Sequence, residues 1–282
     1  MRSLENKNAI VTGGGRGVGR AITERLIKDG ARVLICSPFT KELKNQSKEI
    51  DPSGKSLSFI KADVSNYKDC QKLFAFAKKI FKTLDVLVNN AGIYGPIGPL
   101  EKNSPRDWLE TIEINLMGMV YCTQLALGQM KNQKHGKIIN LAGAGVGGKK
   151  PLSRFSAYYT SKAAVAAFTE VVASEVIDHN IQVNCISPGA INTYFTDYLI
   201  AQGPEKAGPM YEQALKQKES GGDPPELGAN LVSFLASDQS NNVTGKVLSA
   251  KWDKIEKLKK LSLKDSSKFT LRRIDEELFG EK

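Results

Sequence analysis

Apolar runs and stretches in which apolar residues recur every three or four positions take turns along most of this chain. From Asn8 the order is NAIVTGG, then GRAITERLIKDG, then ARVLICS. A short apolar run bounded by a glycine turn predicts a buried strand, and the three-to-four-residue recurrence predicts an amphipathic helix. The opening therefore reads strand, helix, strand. Further runs at SLSFIKADV, LDVLVNNAG, GKIINLAG and IQVNCISPG predict more strands. The stretches CQKLFAFAKKIF, WLETIEINLMGMVYCTQLALGQM and AYYTSKAAVAAFTEVVASEVI carry helical spacing between them. Strands alternating with helices of about ten or more residues imply right-handed crossovers and a mainly parallel sheet covered on both faces. The predicted fold class is doubly wound α/β. LDVLVNN is nearly all apolar, which predicts a central strand buried on both sides.

Two regions depart from this rhythm. Residues 193–225 carry Gly-Pro pairs at 203–204 and 208–209, which suits a mobile flap over a pocket, with a linker as the alternative. Too little chain follows for a second full domain, so residues 1–250 are read as one domain. Residues 251–282 form a charged C-terminal extension with a late apolar group in Phe269, Leu271, Ile274, Leu278 and Phe279. That group packs either on the domain or on a neighbouring subunit.

Composition narrows the function classes. The four cysteines, Cys36, Cys70, Cys122 and Cys185, stand singly inside apolar segments, so they read as core residues and not as a disulfide framework or metal knuckle. Two histidines, His135 and His179, offer few parts for a metal site or a Ser-His-Asp triad, and no metal is expected. The net charge of +10 would suit polyanions, but the lysines are dispersed and no basic run is interleaved with aromatics. Neither nucleic acid nor membrane is expected as a partner. No run approaches the roughly 18 apolar residues of a membrane helix, and MRSLENKNAIVTGG lacks signal-peptide features, so the expected location is the cytoplasm.

The first strand runs into Thr12-Gly13-Gly14-Gly15-Arg16-Gly17-Val18-Gly19 and straight into a helix. Glycines there let the backbone approach a pyrophosphate, whose charge the helix N-terminus stabilises. In dinucleotide folds an acid at the end of the second strand bonds the ribose 2′-hydroxyl. Here that place reads Leu34-Ile35-Cys36-Ser37-Pro38, with Ser37 and no acid. Arg16 in the turn can pair with a 2′-phosphate, so NADP is preferred over NAD.

Six motifs together resemble the short-chain dehydrogenase/reductase family: TGGGRGVG, Asp63 in KADVSN, NNAG at 89–92, Asn115 in EINLMG, YYTSK at 158–162 and SPGAINT at 187–193. They span about residues 4 to 248 in the family's order. The resemblance implies a Rossmann-like domain that binds NADP (NAD possible) through Gly13, Gly15, Arg16, Gly17, Val18, Gly19 and Ser37. It places Asp63 and Val64 at the adenine, and Asn89, Asn90, Ala91 and Gly92 along the cofactor channel. Pro188, Gly189, Ile191 and Thr193 are placed at the nicotinamide end.

Tyr158 and Lys162 are four apart and share a helix face, so the ammonium can lie near the phenol. A free tyrosine titrates near about 10, and an adjacent cation favours the phenolate. Tyr158 is thus the expected acid/base, Lys162 its tuner and, by the resemblance, a holder of the nicotinamide ribose. Asn115 is implied to anchor a water in the proton relay. One departure stands out: the family's usual active-site serine falls at Gly143. Losing one donor to a developing oxyanion costs roughly 10²- to 10³-fold in rate unless it is replaced. A substrate hydroxyl, Ser153 or Ser156 as substitutes, or a protein with little turnover are the three readings.

The expected function is hydride transfer between a nicotinamide cofactor and a carbonyl or secondary alcohol of a small, polar substrate. A cofactor-binding sensor or scaffold is the alternative. The resemblance also implies a homodimer or homotetramer assembled through the helices at 104–130 and 157–178.

Overall fold

A computed structural model describes residues 3–143, 145–146, 152–260 and 268–271. The first half runs β1 (Asn8–Thr12), α1 (Gly17–Lys28), β2 (Arg32–Ser37), α2 (Thr40–Ile50), β3 (Leu57–Lys61), α3 (Tyr67–Ile80) and β4 (Val86–Asn89). It continues with α4 (Pro105–Ile112), α5 (Gly118–Gln133), β5 (Gly136–Leu141), α6 (Ser156–Glu175) and β6 (Ile181–Ser187). The remainder is α7 (Tyr194–Ala201), α8 (Gly203–Ala207), α9 (Pro209–Ser220), α10 (Pro225–Ala236), β7 (Val247–Ser249) and α11 (Ile255–Leu258).

The strands form one sheet in the order β3-β2-β1-β4-β5-β6-β7, and every pairing is parallel. This is a Rossmann-like sheet, with β4 at its centre. Successive residues of a strand face opposite sides, and each side here has its own core. Ala9, Val11, Val33, Ile35, Val86 and Val88 pack with α1 and α10. Ile10, Leu34, Cys36 and Leu87 pack with α3 and α5. Both faces are therefore apolar, which is why these strands read as continuous hydrophobic runs. All four cysteines are free and buried, as core residues. Among the described residues, no helix is long and apolar enough to cross a membrane.

Three local features go beyond the sequence reading and have physical causes. The long helix expected from Trp108 onward is broken, because a π turn at 113–117 separates α4 from α5. The extra residue turns Asn115 inward, where it is 2% exposed. The segment 193–225 is helical for most of its length. Gly203 and Gly208 take positive φ, and the proline after each opens α8 or α9, where its missing N–H is no loss. Residues 268–271 lie against the domain: Val247 N donates to Phe269 O at 2.8 Å, and Leu271 N donates to Glu170 Oε1 at 2.6 Å. Ile274, Leu278 and Phe279 lie outside the described residues.

Candidate active site

The sheet order reverses between β1 and β4, and ligands in open α/β sheets bind outside the carboxyl ends of strands at such a switch point. A cleft of about 1440 Å³ opens there. One end is the glycine turn. Gly13 and Gly17 have φ of +63° and +54°, which side chains other than glycine seldom adopt. A Cβ at Gly19 would collide with the Gly13 carbonyl, so the helix start sits directly against the turn. Arg16 occupies the cap position of α1 in extended conformation and makes no side-chain cap, which leaves the first-turn amides of α1 facing the cleft for an anion. A cradle that any Cβ would fill, ending in an uncapped helix, fits a dinucleotide pyrophosphate.

The turn is held from β4. Asn90 Nδ2 donates to Thr12 O at 2.9 Å and Gly13 O at 3.1 Å, while Thr12 Oγ1 accepts from Asn90 N and Ala91 N. Asn90, Ala91 and Gly92 line the cleft. Asn89 does not. It is the last residue of β4, and its amide donates to Thr123 Oγ1 at 3.1 Å and Asn140 Oδ1 at 2.8 Å inside the core. Asn140 in turn donates to Thr169. Of the expected run from Asn89 to Gly92, Asn90, Ala91 and Gly92 reach the cleft and Asn89 does not, because only residues past the strand end escape the sheet's own packing.

The other expected cofactor residues meet in the same cleft: Gly13, Gly15, Arg16, Gly17, Val18, Gly19, Ser37, Asp63, Val64, Ala91, Gly92, Pro188, Gly189, Ile191 and Thr193. The Arg16 guanidinium stands 5.0 Å from the ring centre of Tyr194 and 6.0 Å from that of Phe39. Glu42, from the first turn of α2, also lines the cleft.

Tyr158 and Lys162 both reach the cleft from α6. Lys162 Nζ donates to Leu141 O at 2.7 Å and lies 5.8 Å from the Tyr158 ring centre. The expected lowering of the phenol by this cation is not what the geometry gives. Burial lowers the Lys162 amine to about 8 and pushes the Tyr158 phenol well above its ordinary value, with Tyr94 adding to the rise. Low dielectric disfavours whichever form is charged, so the two groups move in opposite directions. Burial thus favours the neutral phenol at Tyr158.

Asn115 stands behind Gly92, where a Cβ on the glycine would lie 3.1 Å from Asn115 Oδ1. Its amide grips one residue on both sides: Ile93 N donates to Oδ1 at 2.8 Å, and Nδ2 donates to Ile93 O at 2.8 Å. Nδ2 also donates to Ser161 Oγ at 3.0 Å.

Gly143 has φ of +125°, and a Cβ built there would come 3.4 Å from the Tyr158 hydroxyl. Neither Ser153 nor Ser156 lines the cleft. Ser153 is exposed, and Ser156 Oγ accepts from Trp108 Nε1 at 3.2 Å.

Sequence reasoning missed two features. The aromatic group around Tyr158 is one: Tyr94 lies edge-on to Tyr158, Phe155 and Phe195 with ring centres 4.8, 5.4 and 4.5 Å apart. The other is Asp223, which closes the base of the segment that begins at Ala190. Its carboxylate accepts from Ala190 N at 2.9 Å and pairs with Lys251 Nζ at 2.8 Å, and both contacts hold it below the usual carboxylate range. The Asp-Pro at 223–224 was a legible turn signal, but its partners are distant in sequence.

Residues 7–203 match the family described as short chain dehydrogenase. The (2S)-[(R)-hydroxy(phenyl)methyl]succinyl-CoA dehydrogenase subunit BbsD of Thauera aromatica is 34% identical over 250 residues, covering 87% of this chain and 95% of the relative. The L-fucose dehydrogenase of Oryctolagus cuniculus is 34% identical over 235 residues, covering 83% and 80%. Among solved structures, an actinorhodin polyketide ketoreductase variant with NADPH superposes with a TM-score of 0.77 or better, namely 0.79, at 27% identity, covering 88% of this chain and 97% of that one.

Proposed function

We propose, for a chain that belongs to the short-chain dehydrogenase family and is an NAD(P)-dependent oxidoreductase, that it reduces a ketone carried on an apolar body and prefers NADP to NAD. The observation that carries this reading is the convergence of the glycine cradle, Tyr158 and Lys162 in one cleft. Gly13 to Gly19 would hold the pyrophosphate, Asp63 and Val64 the adenine, and Pro188 to Thr193 the nicotinamide end. When bound, the nicotinamide supplies hydride at its C4. Tyr158, kept neutral by burial, donates its proton to the carbonyl oxygen as the carbon accepts hydride. Lys162, itself fixed by Leu141 O, would hold the nicotinamide ribose.

Arg16 supports NADP, because a guanidinium pairs with a 2′-phosphate and the second strand ends at Ser37 without an acid. The walls near Tyr158 support an apolar substrate body in place of the polar one expected from the glycine-widened site. Tyr94, Leu152, Phe195 and Met210 line that part of the cleft, and Tyr158 packs with the same apolar cluster. The relatives' names span a phenyl-bearing thioester and a sugar, so the walls carry this choice. The segment 193–225 would serve as the flap over that pocket. Assembly as a homodimer or homotetramer, in the cytoplasm, completes the reading. Leu109 on α4 and Val171 on α6 are 55% and 56% exposed, the kind of apolar surface a second copy would cover.

The test is a titration with NADPH and with NADH, followed by nicotinamide absorbance against a ketone panel for wild type and Tyr158→Phe. Consumption of NADPH that vanishes in Tyr158→Phe is expected. Tight binding with no turnover would favour the second reading, a cofactor-binding sensor, for which the bare Gly143 beside the Tyr158 hydroxyl is the motive.

A further inference from the structure

The Tyr158 hydroxyl lies near the backbone at Gly143, which carries no side chain. At Gly143 the chain turns through a positive φ, and a side chain rooted there would reach the phenol oxygen, but glycine supplies none. Ser161 is engaged elsewhere, donating to Tyr158 O at 2.7 Å and accepting from Asn115. A ketone oxygen gaining negative charge as hydride arrives needs more than one donor, because each preorganised hydrogen bond in a water-poor site stabilises it strongly.

Resting on the reductase reading above, we propose that the hydroxyl of Tyr94 is the second hydrogen-bond donor to the substrate carbonyl, replacing the missing side chain at Gly143. Three observations carry this. Tyr94 and Tyr158 line the same cleft, ring centres 4.8 Å apart and planes at 78°. Both neighbours of Tyr94 in sequence are held by the fold: Asn115 clamps both peptide groups of Ile93, and Tyr198 Oη donates to Gly95 O at 3.4 Å. The ring itself is wedged between Phe155 and Phe195. A side chain held through its backbone and by two edge-on ring contacts is preorganised, so little ordering cost falls on the reaction. Burial also pushes the Tyr94 phenol up to about 12, so it stays protonated, and a donor, across the working range.

In the step, the carbonyl carbon gains hydride and the cofactor is oxidised. The oxygen gains the Tyr158 proton, giving the alcohol, while Tyr94 donates a hydrogen bond and keeps its proton. Asn115 is a positioning residue in this scheme, setting Tyr94 through Ile93.

The experiment compares wild type, Tyr158→Phe and Tyr94→Phe, the last keeping the ring and its packing. Each is assayed with NADPH against α-tetralone, acetophenone, ethyl acetoacetate and dihydroxyacetone. NADPH affinity is measured by calorimetry, and so is binding of the fastest-reduced ketone to enzyme loaded with NADP⁺, a pairing in which no hydride can pass. Tyr94→Phe is expected to lower kcat by about 10²-fold, to weaken the unreactive ketone complex, and to leave NADPH affinity within about two-fold. A Tyr94→Phe enzyme with wild-type kcat and ketone affinity, while Tyr158→Phe is inactive, overturns the role of Tyr94 and leaves the reductase reading standing. Loss of NADPH affinity in Tyr94→Phe equal to the loss in rate overturns it too, since the hydroxyl would then serve the fold or the cofactor. Wild type that binds NADPH and reduces none of the four ketones removes the reductase reading and this inference with it.

Discussion

Lys162 Nζ donates to the carbonyl oxygen of Leu141 at 2.7 Å, tying helix α6 to the end of β5. A buried ammonium needs such an acceptor, because its desolvation is only partly offset by hydrogen bonds. The contact fixes the side chain, and with it the face of α6 that carries Tyr158.

That burial makes stability depend on pH in a defined window. The folded-state pKa of Lys162 is lowered to about 8 from 10.5. Below about 8 both folded and unfolded chains hold the proton, and the folded chain bears the full cost of the buried charge. Between about 8 and 10.5 the folded chain releases a proton that the unfolded chain keeps, so this contribution to stability rises with pH. Lys162→Met is therefore expected to gain most relative to wild type near pH 7, with the difference shrinking toward pH 10. Lys137, lowered to about 8 by the same cause, is present in both proteins and cancels. Urea melts at pH 7, 8, 9 and 10 measure this, and a difference that is flat or grows with pH would refute it.

Arg16→Ala is expected to weaken NADPH binding by about 10- to 100-fold, the range of a lost hydrogen bond to a charged group, with NADH changed less than about three-fold. Calorimetric titration with both cofactors decides it. Equal losses for the two would mean that the Arg16 side chain, stacked between Tyr194 and Phe39, shapes the cleft mouth and does not select the phosphate.

Gly19→Ala places a methyl group against the Gly13 carbonyl and the Asn90 amide. Overpacking of this kind costs about 1–3 kcal/mol, and the turn that must shift is the one proposed to cradle the cofactor's phosphates. The expected result is a melting temperature lower by several degrees, together with loss of the stabilisation that NADPH gives wild type. Thermal melts with and without NADPH check both, and a variant that melts and responds like wild type would count against the cradle.

Asp223→Ala removes the tie between Ala190 and Lys251. The segment it closes carries Lys206, Lys216 and Lys218 on short helices. Limited trypsin digestion should cut this segment faster in the variant than in wild type, at unchanged global stability to within about 1 kcal/mol. Identical digestion rates would show that the helices hold the segment without Asp223.

Sequence by itself determined what depends on neighbours along the chain. Alternating strand and helix patterns gave the doubly wound sheet and the central place of β4. The glycine turn, with its strand before and helix after, was legible because positive φ and close approach are demands on single residues. Tyr158 and Lys162 were legible because a spacing of four is one helical turn. What remained hidden depended on residues distant in sequence. That Asn89, alone of the run from 89 to 92, turns into the core is set by where β4 stops pairing with β1 and β5. The inward turn of Asn115 comes from an added residue between α4 and α5, closed by its contact with Ile93. The rise of the Tyr158 phenol, against the fall that its spacing to Lys162 alone predicts, follows first from desolvation by burial in the apolar cluster, with the charge of a neighbouring Tyr94 phenolate adding to it. Burial is a property of the whole packed molecule, so only the tertiary structure decides it.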